Sequence, residues 1–192
     1  MEDYIEISTL NDFVFCPYSI YLHNVYMGAA EDIYYATPQI RGKLSHQKVD
    51  NGKIVRKNDD MSGTAVFSEE YGLMGRIDIY KASTAQLIER KQNIASVYKG
   101  QIYQLWAQML CMVEMGYKVE SISFYDIGRH RQIPVDMPSE DDLVEFRSFL
   151  DRYRNFRPGE DGIQINQAKC RHCIYCNLCD KANQDNVYTQ GY

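Results

Sequence analysis

The run Gly75-Arg-Ile-Asp78-Ile-Tyr-Lys-Ala-Ser-Thr-Ala-Gln-Leu-Ile-Glu89-Arg-Lys91 reads as a β-hairpin closed by a two-residue turn at Ser83-Thr84. That register places Asp78 directly opposite Glu89, where Cβ atoms of cross-strand partners stand about 4.5–5.5 Å apart. Side chains alternate along a strand, so Lys91 shares the face of Glu89, while Ile77, Ile79 and Ile88 take the other face and can enter a core. Two carboxylates that close repel one another unless a cation sits between them, and hard oxygen donors suit Mg2+ or Mn2+. A surface hairpin with an ordinary salt bridge would have the same local sequence.

Working outward, strands are expected near 64–69, 72–81 and 86–92, and a long helix over 98–116 closed by Gly116. Strands near 118–126 and 131–135 follow, joined through Gly128-Arg-His-Arg131. Pro138-Ser139 opens a last helix, 139–155, with acids in its first turn. Upstream, 8–26 has helical spacing with Ser8 as its N-cap, and Pro17 starts or kinks a second helical piece after Cys16. A short helix over 41–50 and a polar, mobile loop over 51–63 complete the reading. Strands, helix, strands and helix in this order define an α/β (α+β) domain with cysteine-bearing ends, expected to form one unit over 1–192.

The helix over 98–116 carries Gln101, Gln104 and Gln108 in one stripe. Placed beside the hairpin, that stripe could orient a phosphate or Lys91. His46 precedes the hairpin on the short helix and could add a nitrogen ligand, which tilts a carboxylate site towards Mn2+.

The chain ends in Cys170-Arg-His-Cys173-Ile-Tyr-Cys176-Asn-Leu-Cys179, with Cys16 remote from it. Structural zinc sites usually join two C-x2-C knuckles across a long spacer. Closely spaced thiols with one distant partner suit an iron–sulfur cubane that clips the two ends of the chain together. Zinc and free thiols remain the alternatives. Cysteines used in this way fit a reducing, cytoplasmic setting; no signal-like segment or membrane span is read from the sequence. A net charge of −5 argues against a general nucleic-acid coating protein but leaves room for an enzyme with a local basic groove. Lys53, Arg56, Lys57, Arg129 and Arg131 are its candidates. The sixteen tyrosines suit amphipathic packing or base stacking.

Histidine on a helix, Gly75-x-x-Asp78, Glu89-x-Lys91 and a glutamine on the next helix resemble the RecB-like branch of the PD-(D/E)xK nucleases. With Cys16 and the C-terminal cysteines, the chain is similar to the CRISPR-associated exonucleases of the Cas-four family. Phe13-Val-Phe-Cys16-Pro17-Tyr-Ser-Ile-Tyr-Leu-His23 and Gln104-Leu-Trp-Ala-Gln108-Met-Leu-Cys111-Met-Val-Glu-Met-Gly116 add to the likeness, which spans about 5–180.

The resemblance implies a RecB-like, restriction-endonuclease-type core over about 36–138, with an iron–sulfur region formed by about 8–30 and 139–192. It implies His46, Asp78 and Glu89 as metal ligands, joined by the Arg90 carbonyl, Lys91 as the catalytic lysine and Gln104 as its supporting glutamine. It implies a [4Fe-4S] cluster on Cys16, Cys170, Cys173 and Cys179, with Cys176 spare or exchanging with Cys179. Cys111 reads as a small buried hydrophobe. The implied activity is trimming of single-stranded DNA ends or overhangs for CRISPR spacer acquisition, with CRISPR integrase subunits as partners. A partner-dependent accessory subunit of that integrase with conditional nuclease activity, and more remotely a zinc-ribbon-like DNA module, are the competing expectations.

Overall fold

The computed structural model describes residues 4–26, 59–160, 162–163 and 165–182. The expected helix over 41–50, with His46, lies outside them, as do Lys53, Arg56 and Lys57.

Two sheets share the strands. In the first, β1 (Ile5–Glu6) runs parallel to β4 (Leu73–Arg76), which pairs antiparallel with β3 (Ala65–Ser68). The second has five strands in the order β2 (Met61–Ser62), β5 (Ile79–Lys81), β6 (Gln86–Lys91), β7 (Ser121–Asp126) and β8 (Arg131–Val135). Only β6 and β7 are parallel there, because a helix carries the chain between them. The result is a mixed α+β fold. Among the described residues, no helix is long and apolar enough to cross a membrane.

The hairpin keeps the expected register: Ile79 faces Ile88, Tyr80 faces Leu87 and Lys81 faces Gln86. Its turn is longer than two residues. A 3-10 turn, Ala82–Thr84, is followed by Ala85 in the left-handed region at φ 48°. Ala82 and Ala85 leave the ladder symmetrically, so the pairing survives. The strand expected over 72–81 is in fact two strands. The chain leaves the first sheet after Arg76 and joins the second at Ile79, and Asp78 occupies the bend between them. Met61 and Ser62, expected in a loop, pair with Tyr80 and Ile79.

At the N-terminus a 3-10 turn (Ile7–Thr9) precedes α1 (Leu10–Phe15), so Ser8 lies inside that turn rather than capping a helix. Cys16 is extended, and Pro17 opens α2 (Pro17–Tyr26), where its missing N–H costs no hydrogen bond. Next come α3 (Lys99–Glu114), α4 (Glu140–Asn155) and the single turn α5 (Gln167–Cys170). Ser139 and Asp142 exchange hydrogen bonds in a capping box that starts α4.

The main core joins Leu10 and Phe13 of α1, Leu73, Ile77, Tyr80, Leu87 and Phe124 of the strand region, Leu105 of α3, and Phe146, Phe149 and Leu150 of α4. Each such side chain contributes about 1.5–3 kcal/mol when fully buried. α4 therefore packs on this core through Phe146, Phe149 and Leu150. Helix α1 likewise packs here: a Cβ on Gly100 would stand 2.8 Å from the Asn11 backbone, so only glycine permits this approach of α3 to α1. Ile88, expected in the core, is buried but outside this cluster. Helix α3 covers the opposite face of β6, the one carrying Leu87 and Glu89. A second, smaller cluster gathers Tyr18, Leu22, Tyr175, Cys179 and Ala182, with Cys16, Cys173 and Cys176 at its edge.

Candidate functional site

The C-terminal half of β6 brings Glu89 and Lys91 beneath α3. Lys91 Nζ donates to Glu89 Oε1 at 2.9 Å, and the Glu89 side chain is only 13 % exposed. The same ammonium lies 3.5 Å from Gln104 Oε1, a long contact, while Gln104 Nε2 donates to the Ser8 carbonyl at 2.7 Å. Gln104 thus ties Lys91 to the N-terminal segment. Gln108 Nε2 donates to Glu89 Oε2 at 2.9 Å and to the Arg76 carbonyl at 3.1 Å.

The expected stripe of three amides divides here. Gln104 and Gln108 are 8 % and 4 % exposed and face the site. Gln101 turns back to accept the Tyr98 N–H at 3.0 Å, capping α3.

Asp78 sits one residue before the β5–β6 ladder, at the position that extends the pairing to Glu89. Its Oδ2 accepts the Arg90 backbone N–H at 2.8 Å and lies 3.9 Å from Arg90 Nε. Asp78, Glu89, Lys91 and Gln104 are thereby held around one end of the hairpin. Among the described residues, no three His, Cys, Asp or Glu side chains form a group that could hold a metal ion. The expected third ligand, His46, lies outside those residues. Two carboxylates beside a backbone strand are hard donors and suit a divalent cation of the Mg2+ or Mn2+ kind.

Just beyond Lys91, Asp126 ends β7. It is fully buried, and its carboxylate accepts the N–H groups of Ile94 at 3.2 Å and Arg129 at 3.1 Å. Arg129 also donates to the Ile94 carbonyl at 2.6 Å. Burial pushes the Asp126 carboxyl up, but those N–H groups and the Arg129 and Arg131 charges outweigh it and hold it below the ordinary carboxylate range. Arg129, expected as a DNA contact, is thus partly committed to the loop; Arg131 is exposed.

The cysteines meet elsewhere. Cys173 N–H bonds to the Cys170 carbonyl, Cys176 to Cys173 and Cys179 to Cys176, at 3.0, 3.1 and 3.4 Å. A chain wound at three residues per turn eclipses positions i and i+3. Each cysteine from Cys170 to Cys179 is one three-residue turn from the next, although only Cys176–Leu178 is a 3-10 turn. Cys16, Cys170, Cys173, Cys176 and Cys179 all line one cavity of about 670 Å3, whose far wall includes Phe13, Tyr103 and Phe149.

The two chain ends are tied by Tyr18 Oη donating to Asp180 at 2.6 Å, a His23–Tyr175 hydrogen bond of 2.7 Å, and Lys169 Nζ donating to the Phe15 carbonyl at 3.0 Å. Burial pushes the Cys170 and Cys173 thiols up, and the neighbouring cysteines push further. Five thiols line this cavity, although no three of them form a group that could hold a metal ion; as residue types, soft sulfur donors are those of iron–sulfur and zinc sites. Cys176 shares the wall with the implied four. Cys111 is fully buried in α3, apart from this group, as expected.

Sequence reasoning placed Gln108 in the amide stripe without assigning it to Glu89, and did not single out Asp126. Gln108 had a usable signal in its spacing from Gln104. Asp126 had none, because its partners come from two separate loops.

No family model matches the chain, and the search of curated proteins finds no match. Twelve chains of solved structures match it. One is the crystal structure of SSO0001, 14 % identical, with a TM-score of 0.54; the match covers 95 % of this chain and 88 % of that one. At this identity the likeness extends to the fold alone: the chain shares a mixed α/β architecture with SSO0001 over nearly its whole length.

Proposed function

We propose that the chain is a divalent-metal-dependent deoxyribonuclease with a RecB-like core and a [4Fe-4S] cluster. It acts on single-stranded DNA ends or overhangs, in the manner of the Cas-four exonucleases of CRISPR spacer acquisition. The observation that carries this reading is the hydrogen-bonded set Glu89, Lys91 and Gln104, with Asp78 at the adjoining bend.

A bound Mn2+ or Mg2+ supplies Lewis acidity and a water of lowered pKa. Asp78 and Glu89, with His46 and the Arg90 carbonyl, are the groups that would hold it. Lys91 offsets the charge that builds on the phosphate and orients the attacking water, and Gln104 keeps its ammonium in place. The cluster on Cys16, Cys170, Cys173 and Cys179 is structural, since hydrolysis needs no electron.

Cleavage of 5′- and 3′-labelled single-stranded DNA with Mn2+ tests the reading against Asp78→Ala, Glu89→Ala and Lys91→Ala. Wild-type rates in all three variants overturn it. The net charge of −5 favours a form of the same activity in which CRISPR integrase subunits supply part of the DNA affinity. Cutting only in their presence identifies a processing subunit; efficient cutting alone identifies an autonomous exonuclease.

A further inference from the structure

Gln108 lies one helical turn beyond Gln104 on α3, and both of its amide hydrogens are used within the protein. One bonds to Glu89 Oε2 at 2.9 Å, the other to the carbonyl of Arg76 at 3.1 Å. Both partners are acceptors only, so turning the amide over would set its oxygen against two oxygens; the orientation is fixed. The consequence is that Gln108 Oε1 is buried with no hydrogen-bond partner among the described residues. A buried acceptor left unpaired is unfavourable, and such groups are few in folded proteins. This side chain is therefore placed for its two donors rather than for its own satisfaction.

What those donors join is specific. Glu89 belongs to β6, whereas Arg76 is the last residue of β4, two positions before Asp78. Asp78 lies in the bend that leads from the sheet of Arg76 to the sheet of Glu89, and the Gln108 amide spans from one sheet to the other. Lys91 already holds the other oxygen of Glu89 from the same strand.

We infer that Gln108 is a positioning residue: it fixes the Glu89 carboxylate relative to the bend bearing Asp78, so that the pair is set for a divalent ion before one arrives. The inference rests on the nuclease reading. It assigns Gln108 to Glu89 and leaves Gln104 with Lys91.

The test uses Mn2+ alone, titrated into the full chain without DNA and followed by calorimetry. Gln108→Met keeps the side-chain volume and removes both donors. Gln101→Met, on the same helix but facing the Tyr98 cap, is the control. Residues that orient metal ligands typically change affinity by about 10–100-fold. Gln108→Met should weaken Mn2+ binding by that factor while its Tm stays within a few degrees of wild type. The control should bind as wild type does. Single-stranded DNA cleavage by Gln108→Met should recover as Mn2+ is raised, with KM for DNA unchanged.

Mn2+ affinity within about twofold of wild type in Gln108→Met overturns the inference while the nuclease reading stands. A wild type that binds no Mn2+ and cuts no DNA overturns both. Should Gln108→Met fail to fold, Gln108→Asn, which withdraws the same amide by one methylene, must show the affinity loss instead.

Discussion

The four C-terminal cysteines reach their common wall through three successive turns within ten residues, whereas Glu89, Lys91, Gln104, Gln108 and Asp78 converge from a strand, a helix and a bend between sheets. The first region is nearly local: one spacing rule aligns the thiols, and only Cys16 must arrive from afar. Among the described residues its apolar cluster has five buried members, one of them a cysteine, fewer than the core under the second region. The second depends on distant contacts, but it rests on the large core shared by both sheets and by α1, α3 and α4. A site built from local turns is easy to align, and on the proposed reading a cofactor would add to its stability. A site built from distant elements leans on the core beneath it and is sensitive to single contacts.

The largest effect should come from removing the remote thiol of the proposed cluster. Cys16→Ala removes the thiol that, in the proposed cluster, would join 16 to the 170s. A cross-link closing a loop of that length contributes on the order of 4–5 kcal/mol by the chain-entropy argument for disulfides. Thermal unfolding of anaerobically purified protein should show that loss, together with disappearance of the brown iron–sulfur absorption. A wild type that is colourless and carries one zinc per chain would transfer the site to zinc.

Lys91→Ala tests the opposite half of the contrast. Loss of one preorganised charge at a developing oxyanion costs on the order of 10²–10³-fold in kcat. The Lys91 side chain is 28 % exposed and not part of the main core, so the melting temperature and the iron–sulfur spectrum should stay near wild type. A variant that loses its colour along with its activity would show that the two regions are not separable.

The same contrast explains what could be read from the sequence. The hairpin register was legible because side-chain alternation set Ile79 against Ile88 and put Glu89 and Lys91 on one face, and a symmetric error in the turn did not disturb it. The break at Ile77–Asp78 was not legible, since Gly75-Arg-Ile-Asp78-Ile-Tyr alternates as smoothly as an unbroken strand. What divides it is the choice of sheet on either side. The N-terminal break at Cys16-Pro17 was legible because proline imposes it locally. The docking of α4 on the main core was not legible, because Phe146, Phe149 and Leu150 give a helix a buried face without saying which core receives it. Gln104 and Gln108 shared a visible stripe, but their distinct partners, Ser8 and Lys91 for one and Arg76 and Glu89 for the other, depend wholly on how α3 lies across the strands.

Acid should sharpen the comparison by loosening the carboxylate side through Asp126. This group is held below the ordinary carboxylate range in the fold, so its contribution is present above the unfolded value, near pH 3.9, and is lost as pH falls through the lower folded value. Urea unfolding between pH 5 and pH 2 should show stability declining across that window, with a shallower decline in Asp126→Asn. An unchanged slope in the variant would show that its N–H contacts to Ile94 and Arg129 do not distinguish the two charge states.

The smallest effect lies at the start of α4, which separates the two regions in sequence and packs with the core of one. Ser139 Oγ accepts the Asp142 N–H at 3.2 Å, and Asp142 Oδ2 accepts the Ser139 N–H at 2.9 Å. The Ser139 hydroxyl and backbone N–H both hold the Asp142 carboxyl below its ordinary range. Ser139→Ala removes one arm of this box and should cost about 1 kcal/mol in equilibrium unfolding. It should also move the Asp142 titration upward in carboxylate-resolved NMR. Because Phe146, Phe149 and Leu150 remain in the core, α4 should stay docked and the iron–sulfur spectrum should not change. If capping alone loosened the cysteine wall, the spectrum would respond to Ser139→Ala. The stability of that wall would then reside in the position of α4 rather than in the link through Cys16.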